Sequence, residues 1–108
     1  MPLSLPKPIA DYFAADTADG VAVAKCFSAD AMVIDEKKTY RGRDAIAAWK
    51  SEASAKYDYV AEPMTVDVQG ERICVTAHLT GNFPGSPVDL RYAFTLSGDA
   101  ITRLEIIP

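Results

Sequence analysis

Two side chains in this 108-residue chain stand where acid–base chemistry could be done. Asp35 closes the apolar run Ala31-Met32-Val33-Ile34, and Tyr12 falls in the stripe Ile9, Tyr12, Phe13. At the mouth of an apolar pocket a carboxylate is poorly solvated, so its pKa rises and it becomes a stronger base. A buried phenol aimed at a substrate oxygen stabilises charge that appears only in the transition state. Each residue also has a plainer reading. Tyr12 can be a core aromatic, and Asp35 can cap a hairpin or pair with Lys37 or Arg41. Trp49 and Tyr57, at helical spacing, fit a core stripe as well as a substrate-stacking wall. His78 is the only histidine, so a metal site or a serine-type triad would lack its usual ligands or base. Neither a metal nor an organic cofactor is expected.

The elements that position these residues follow from composition and period. A hydrophobic fraction of 49% and a charged fraction of 24% describe an ordered globular chain, and its length suits one domain over residues 1–108. A net charge of -4 repels phosphate backbones and anionic bilayers, so neither nucleic acid nor membrane is an expected partner. The basic cluster Lys37, Lys38, Arg41 and Arg43 is interleaved with Asp35, Glu36 and Asp44 and reads as a solvated hairpin rim. Cys26 and Cys74 are far apart and read as free thiols. The first eight residues hold three prolines and no apolar run of signal-peptide length, which points to the cytoplasm.

Pro8 suits the first turn of a helix over residues 8–15. A second short helix is expected over 19–27, closed by Ser28-Ala29-Asp30. Residues 31–35 are too short and too bulky for a helix and predict a strand returning through a hairpin near Thr39-Tyr40. Gly42 and Asp44 open a third helix carrying Ile46, Trp49, Ala53 and Tyr57 inward, with Glu52 and Lys56 paired on its wet side. Four antiparallel strands follow over 59–68, 72–80, 88–97 and 100–107. The loop over 81–87 contains two glycines but lacks phosphate-loop spacing, so it reads as a hairpin loop at a pocket or dimer rim.

Strand parity assigns faces. Val88, Leu90, Tyr92, Phe94 and Leu96 share a side with Ile73, Val75, Ala77 and Leu79, and should face the helices. Asp89, Arg91, Ala93, Thr95, Cys74, Thr76, His78 and Thr80 share the other side. That side is small and semi-polar, which suits a homodimer about a twofold axis, with a solvated face as the alternative.

Helix, helix, small strand pair, helix, then four strands resembles the nuclear transport factor 2-like architecture. The segment Phe27-Ser28-Ala29-Asp30-Ala31-Met32-Val33-Ile34-Asp35 is similar to that superfamily's phenylalanine, turn, acidic residue and strand-ending aspartate. Tyr40-Arg41-Gly42-Arg43-Asp44-Ala45-Ile46 resembles its glycine-led opening of helix three, and residues 92–107 resemble its last hairpin. The nearest resemblance is to SnoaL-like and ketosteroid-isomerase-like proteins. It implies a cone-shaped α+β fold in which three helices pack on a curved, mainly antiparallel sheet around a small-molecule pocket.

By the same resemblance Asp35 matches the proton-shuttling aspartate and Tyr12 the oxyanion-donating tyrosine of ketosteroid isomerase. Trp49, Tyr57, Tyr92 and Phe94 then become substrate-binding candidates. The isomerase's second acid falls near Tyr92, whereas Asp89 has the opposite parity, so that dyad is incomplete. The implied function is isomerase-, cyclase- or dehydratase-type chemistry on a small apolar carbonyl or hydroxyl compound. The alternative is a non-catalytic ligand-binding or dimerisation module of the same fold, because this superfamily is functionally mixed.

Overall fold

The computed structural model describes residues 5–16 and 20–107. In chain order these form α1 (Lys7–Ala15), α2 (Gly20–Ala24), β1 (Phe27–Asp35), β2 (Lys38–Arg41), α3 (Arg43–Lys56), β3 (Tyr59–Gln69), β4 (Arg72–Gly81), β5 (Val88–Ser97) and β6 (Ala100–Ile107). Pro8 lies in the first turn of α1, where a missing N–H leaves no intrahelical bond unmade. Gly42, at φ 84°, turns the chain into α3 through a backbone conformation that costs other residues a steric penalty.

One mixed sheet of six strands runs in the order β2-β1-β6-β5-β4-β3. The four long strands are antiparallel neighbours, as their period predicts. The join to the small hairpin is different, because β1 lies parallel to β6. Helices and sheet enclose one core, in which Ile9, Tyr12, Phe27, Ile46, Phe94 and Leu104 are fully buried. Among the described residues, no helix is long and apolar enough to cross a membrane.

The second helix differs from expectation at its C-terminal end. It stops at Ala24, and Ser28-Ala29-Asp30 belongs to β1 rather than to a helix end. The residues on either side, Phe27 and Met32, pair with β6 and carry this turn-forming stretch along in the strand as an irregularity. The Ile101 N–H donates to the Cys26 carbonyl at 2.9 Å, and Phe27 pairs with Ile101 before a bulge restores register at Met32. The Arg43 side chain donates to the Phe27 carbonyl at 3.0 Å. The expected helix start at Asp19 lies outside the described residues.

Two local backbone features shape the packing of α3 and the turn beside Asp35. A Cβ on Gly20 would stand 2.2 Å from the Ala47 carbonyl oxygen, so α2 and α3 approach backbone to backbone only because this residue has no side chain. The turn between β1 and β2 holds Glu36 at φ 52° and Lys37 at φ 66°. Two-residue hairpins of this left-handed kind ordinarily use Asn-Gly, so the turn carries strain directly beside the strand-ending aspartate.

Parity on β4 and β5 is as read from the alternation. Val75, Ala77, Leu79, Tyr92 and Phe94 are buried beneath the helices. On the outer face His78 and Asp89 are cross-strand partners, with Nδ1 and Oδ1 2.7 Å apart. Ala93 is buried on that face too, between Cys74 and Glu105 of its neighbouring strands.

Candidate functional site

Between α3, the β1–β2 turn and the inner face of the sheet lies a cavity of about 450 Å³. α3 lends it Trp49, Lys50 and Ala53; the sheet lends Tyr59, Leu79, Val88, Leu90, Tyr92 and Ile106. Asp35 and Glu36 stand on one part of its wall, and Phe83, Pro84 and Gly85 of the β4–β5 loop on another. Volume and lining match those of small-molecule sites, which are mostly apolar with a few placed polar groups. The loop over 81–87 is therefore part of the site. Phe83 packs edge-on to Tyr57 and Tyr59, with ring centroids 6.3 and 6.4 Å apart. Asn82 holds the loop to Asp58 through bonds of 3.1 and 2.9 Å.

Asp35 is half-buried, and the Trp49 indole N–H donates to its Oδ2 at 3.0 Å. Neither Lys37 nor Arg41 is its partner among the described residues. Burial raises its pKa above the ordinary aspartate value, and the charge of Glu36 adds to the rise; the Trp49 hydrogen bond and the Lys50 ammonium oppose it. A carboxylate held by the Trp49 indole and the Glu36 backbone on the wall of a mostly apolar cavity is a base with spare acceptor capacity.

Trp49, Tyr57 and Tyr92 line the same cavity as Asp35. Tyr92 is 3% exposed, and burial pushes its phenol well above the ordinary range, so it stays protonated. Tyr12 and Phe94 stand behind this wall, in the core. The Tyr12 ring lies 6.1 Å from Tyr92 and 5.5 Å from Phe94. Its hydroxyl is buried and has no hydrogen-bond partner among the described residues. Phe94 stacks on Tyr92 at 6.2 Å and so backs the cavity rather than walling it. Asp89 is on the opposite face with His78.

Sequence reasoning did not single out Lys50. It is 3% exposed, on the cavity wall, and forms an ion pair with Asp16, itself 4% exposed. Its ammonium also donates to the Tyr59 hydroxyl. The nitrogen lies 5.0 Å from the Tyr59 ring centroid, 5.4 Å from Trp49 and 5.8 Å from Tyr12, so aromatic faces supply much of its surroundings. A signal was present: Ile46, Lys50, Ala53 and Tyr57 follow spacings of four, three and four, which places a lysine within the helix's inward stripe.

A six-stranded sheet with this strand order and a cavity beneath its helices define a protein of the nuclear transport factor 2-like class. Solved structures agree. A hypothetical protein from Catenulispora acidiphila with a ketosteroid isomerase-like fold, crystallised with trimethylamine, superposes with a TM-score of 0.86 at 21% identity, over 97% of this chain and 87% of that one. A nuclear transport factor 2-like protein of unknown function from Cytophaga hutchinsonii gives 0.71 at 13% identity, over 98% and 92%. Within the class, a sequence model of the SnoaL-like domain matches residues 9–103, and the chain belongs to that family. A candidate polyketide cyclase from Sinorhizobium meliloti is 43% identical over 94% of each chain, with a TM-score of 0.88. No curated protein matches.

Proposed function

We propose that the cavity binds a small, mostly apolar carbonyl or hydroxyl compound and that Asp35 acts on it as a general base. The observation that carries this reading is a half-buried carboxylate on the wall of a mostly apolar, aromatic-lined cavity, with its pKa raised by burial. In the reaction Asp35 takes a proton from a carbon beside the ligand's carbonyl and returns it at another position. The charge lost by the carboxylate meanwhile resides on the ligand oxygen. Tyr92 is the neutral phenol on the wall, and the unpartnered hydroxyl of Tyr12 is a second donor one ring behind it. Trp49 and Tyr57 wall the ligand, with Phe94 as backing.

The resemblance to the Sinorhizobium protein makes polyketide-like carbonyl compounds the first panel to assay. With a compound that turns over, Asp35→Asn is expected to slow the reaction by about 100-fold or more while binding persists. An Asp35→Asn protein that works at the normal rate would sink the base assignment. If Asp35→Asn and wild type bind alike and neither turns anything over, the non-catalytic ligand-binding module is the better description.

We further propose that the outer sheet face pairs with a second copy. Support comes from its semi-polar character around the buried Ala93, with half-buried Cys74, Thr76 and Thr95 beside it. Sedimentation should give a dimer that Ala93→Arg splits into monomers, and a wild-type monomer would contradict this.

A further inference from the structure

The buried lysine asks for an explanation beyond packing. A buried ion pair contributes little net stability compared with apolar side chains of the same volume, yet Lys50 puts its charge in the cavity wall. An ammonium has three N–H donors. Asp16 and the Tyr59 hydroxyl take two of them, and Tyr59 also interacts with Asp16, so these two residues, themselves linked, fix the nitrogen's position. Among the described residues the third donor has no assigned partner. Lys50 also stands close enough to Asp35 for its charge to be felt there.

We propose that Lys50 is the oxyanion-binding pole of the cavity, which therefore selects ligands that carry an enolisable carbonyl or an acidic phenol and holds them as the anion. This inference rests on the reading of Asp35 as the base. When a ligand C–H proton moves to the Asp35 carboxylate, the electron pair of that bond moves onto the carbonyl oxygen. Net charge within the cavity is unchanged, but its negative centre shifts from Asp35 to the ligand. Inside an apolar wall such an oxygen is expensive to leave unpaired. A cation already oriented by Asp16 and Tyr59 meets it without reorganisation. Asp16 and Tyr59 are thus positioning residues, and within this trio Lys50 is the one that meets the ligand's oxyanion.

The test uses para-nitrophenol, whose phenolate is coloured, and nitrobenzene, which has no ionisable oxygen. Wild-type protein should bind both, and should bind the phenolate at least about tenfold more tightly than the neutral phenol. Lys50→Met alone would strand the Asp16 carboxylate, so the informative protein is Asp16→Asn with Lys50→Met, checked by circular dichroism for a native fold. It should lose the phenolate preference and keep its affinity for nitrobenzene. Retention of that preference by the folded double variant overturns the role of Lys50 and leaves the cavity reading intact. A wild-type protein that binds nitrobenzene without preferring the phenolate does the same. Failure of wild-type protein to bind either probe removes the cavity reading together with this one.

Discussion

Asp35 and Lys50 share one cavity and are built in opposite ways. Asp35 is half-buried, accepts a single side-chain hydrogen bond among the described residues, from a neutral indole, and has its charged form disfavoured by burial. Lys50 is more deeply buried, yet its charge is met by Asp16, by a hydroxyl and by three aromatic faces. The difference separates two uses of a buried ion. An under-compensated carboxylate is ready to take a proton, whereas an ammonium held by a carboxylate and a hydroxyl is fixed in place with a donor to spare for a further negative oxygen.

That contrast can be broken from the Lys50 side first. Lys50→Met removes one partner of a buried pair and is expected to cost about 4 kcal/mol, read as a lowered denaturation midpoint. Adding Asp16→Asn should restore most of it. If the single variant loses nothing, Asp16 is not a dependent partner and the compensated half of the comparison fails.

A smaller effect sharpens the picture of the core behind the cavity that holds the two groups. The Tyr12 hydroxyl is buried and unpartnered among the described residues, so Tyr12→Phe should stabilise the fold by about 1 kcal/mol, and slower turnover should accompany it if the hydroxyl is the reserve donor. Thermal melts settle the first half, where a destabilised variant would mean that the hydroxyl is satisfied. The smallest expected change lies in the hairpin beside Asp35. Placing Asn at 36 and Gly at 37 relieves two left-handed residues at some entropic cost, for a net gain of about 0.5 kcal/mol. A loss of stability would show that the present turn carries no strain.

Much of this arrangement was legible in the chain. Period-two alternation over the four long strands follows from burial on one side only, and it put Tyr92 inward and His78 outward, as found. Gly42 announced the start of α3 because few other residues adopt its backbone angles. What stayed hidden depends on partners remote in sequence. Ser28-Ala29-Asp30 runs in β1 as the irregular stretch between two segments paired with the parallel strand β6, Phe27 with Ile101 and Met32 with Arg103, and that pairing leaves no local pattern in residues 28–30. The Tyr12 hydroxyl falls behind the cavity rather than on it because of how α1 seats on Tyr92 and Phe94, and helical spacing cannot resolve that. Lys50 was visible as a charge in an apolar stripe, but its meaning required Asp16 from another element.

Acid–base chemistry in the cavity turns on the protonation of one carboxyl. Because burial raises the folded pKa of Asp35 above its unfolded value, the folded state keeps this proton to higher pH. Stability from this group therefore falls as pH rises through the window between the two values. Titration of the Asp35 side-chain carboxyl by carbon NMR tests this directly. The predicted midpoint lies above that of an exposed aspartate, and it climbs further in Trp49→Phe, where the opposing side-chain hydrogen bond is gone and the weaker one from the Glu36 backbone remains. A midpoint at or below the exposed value, unmoved by Trp49→Phe, would contradict the account.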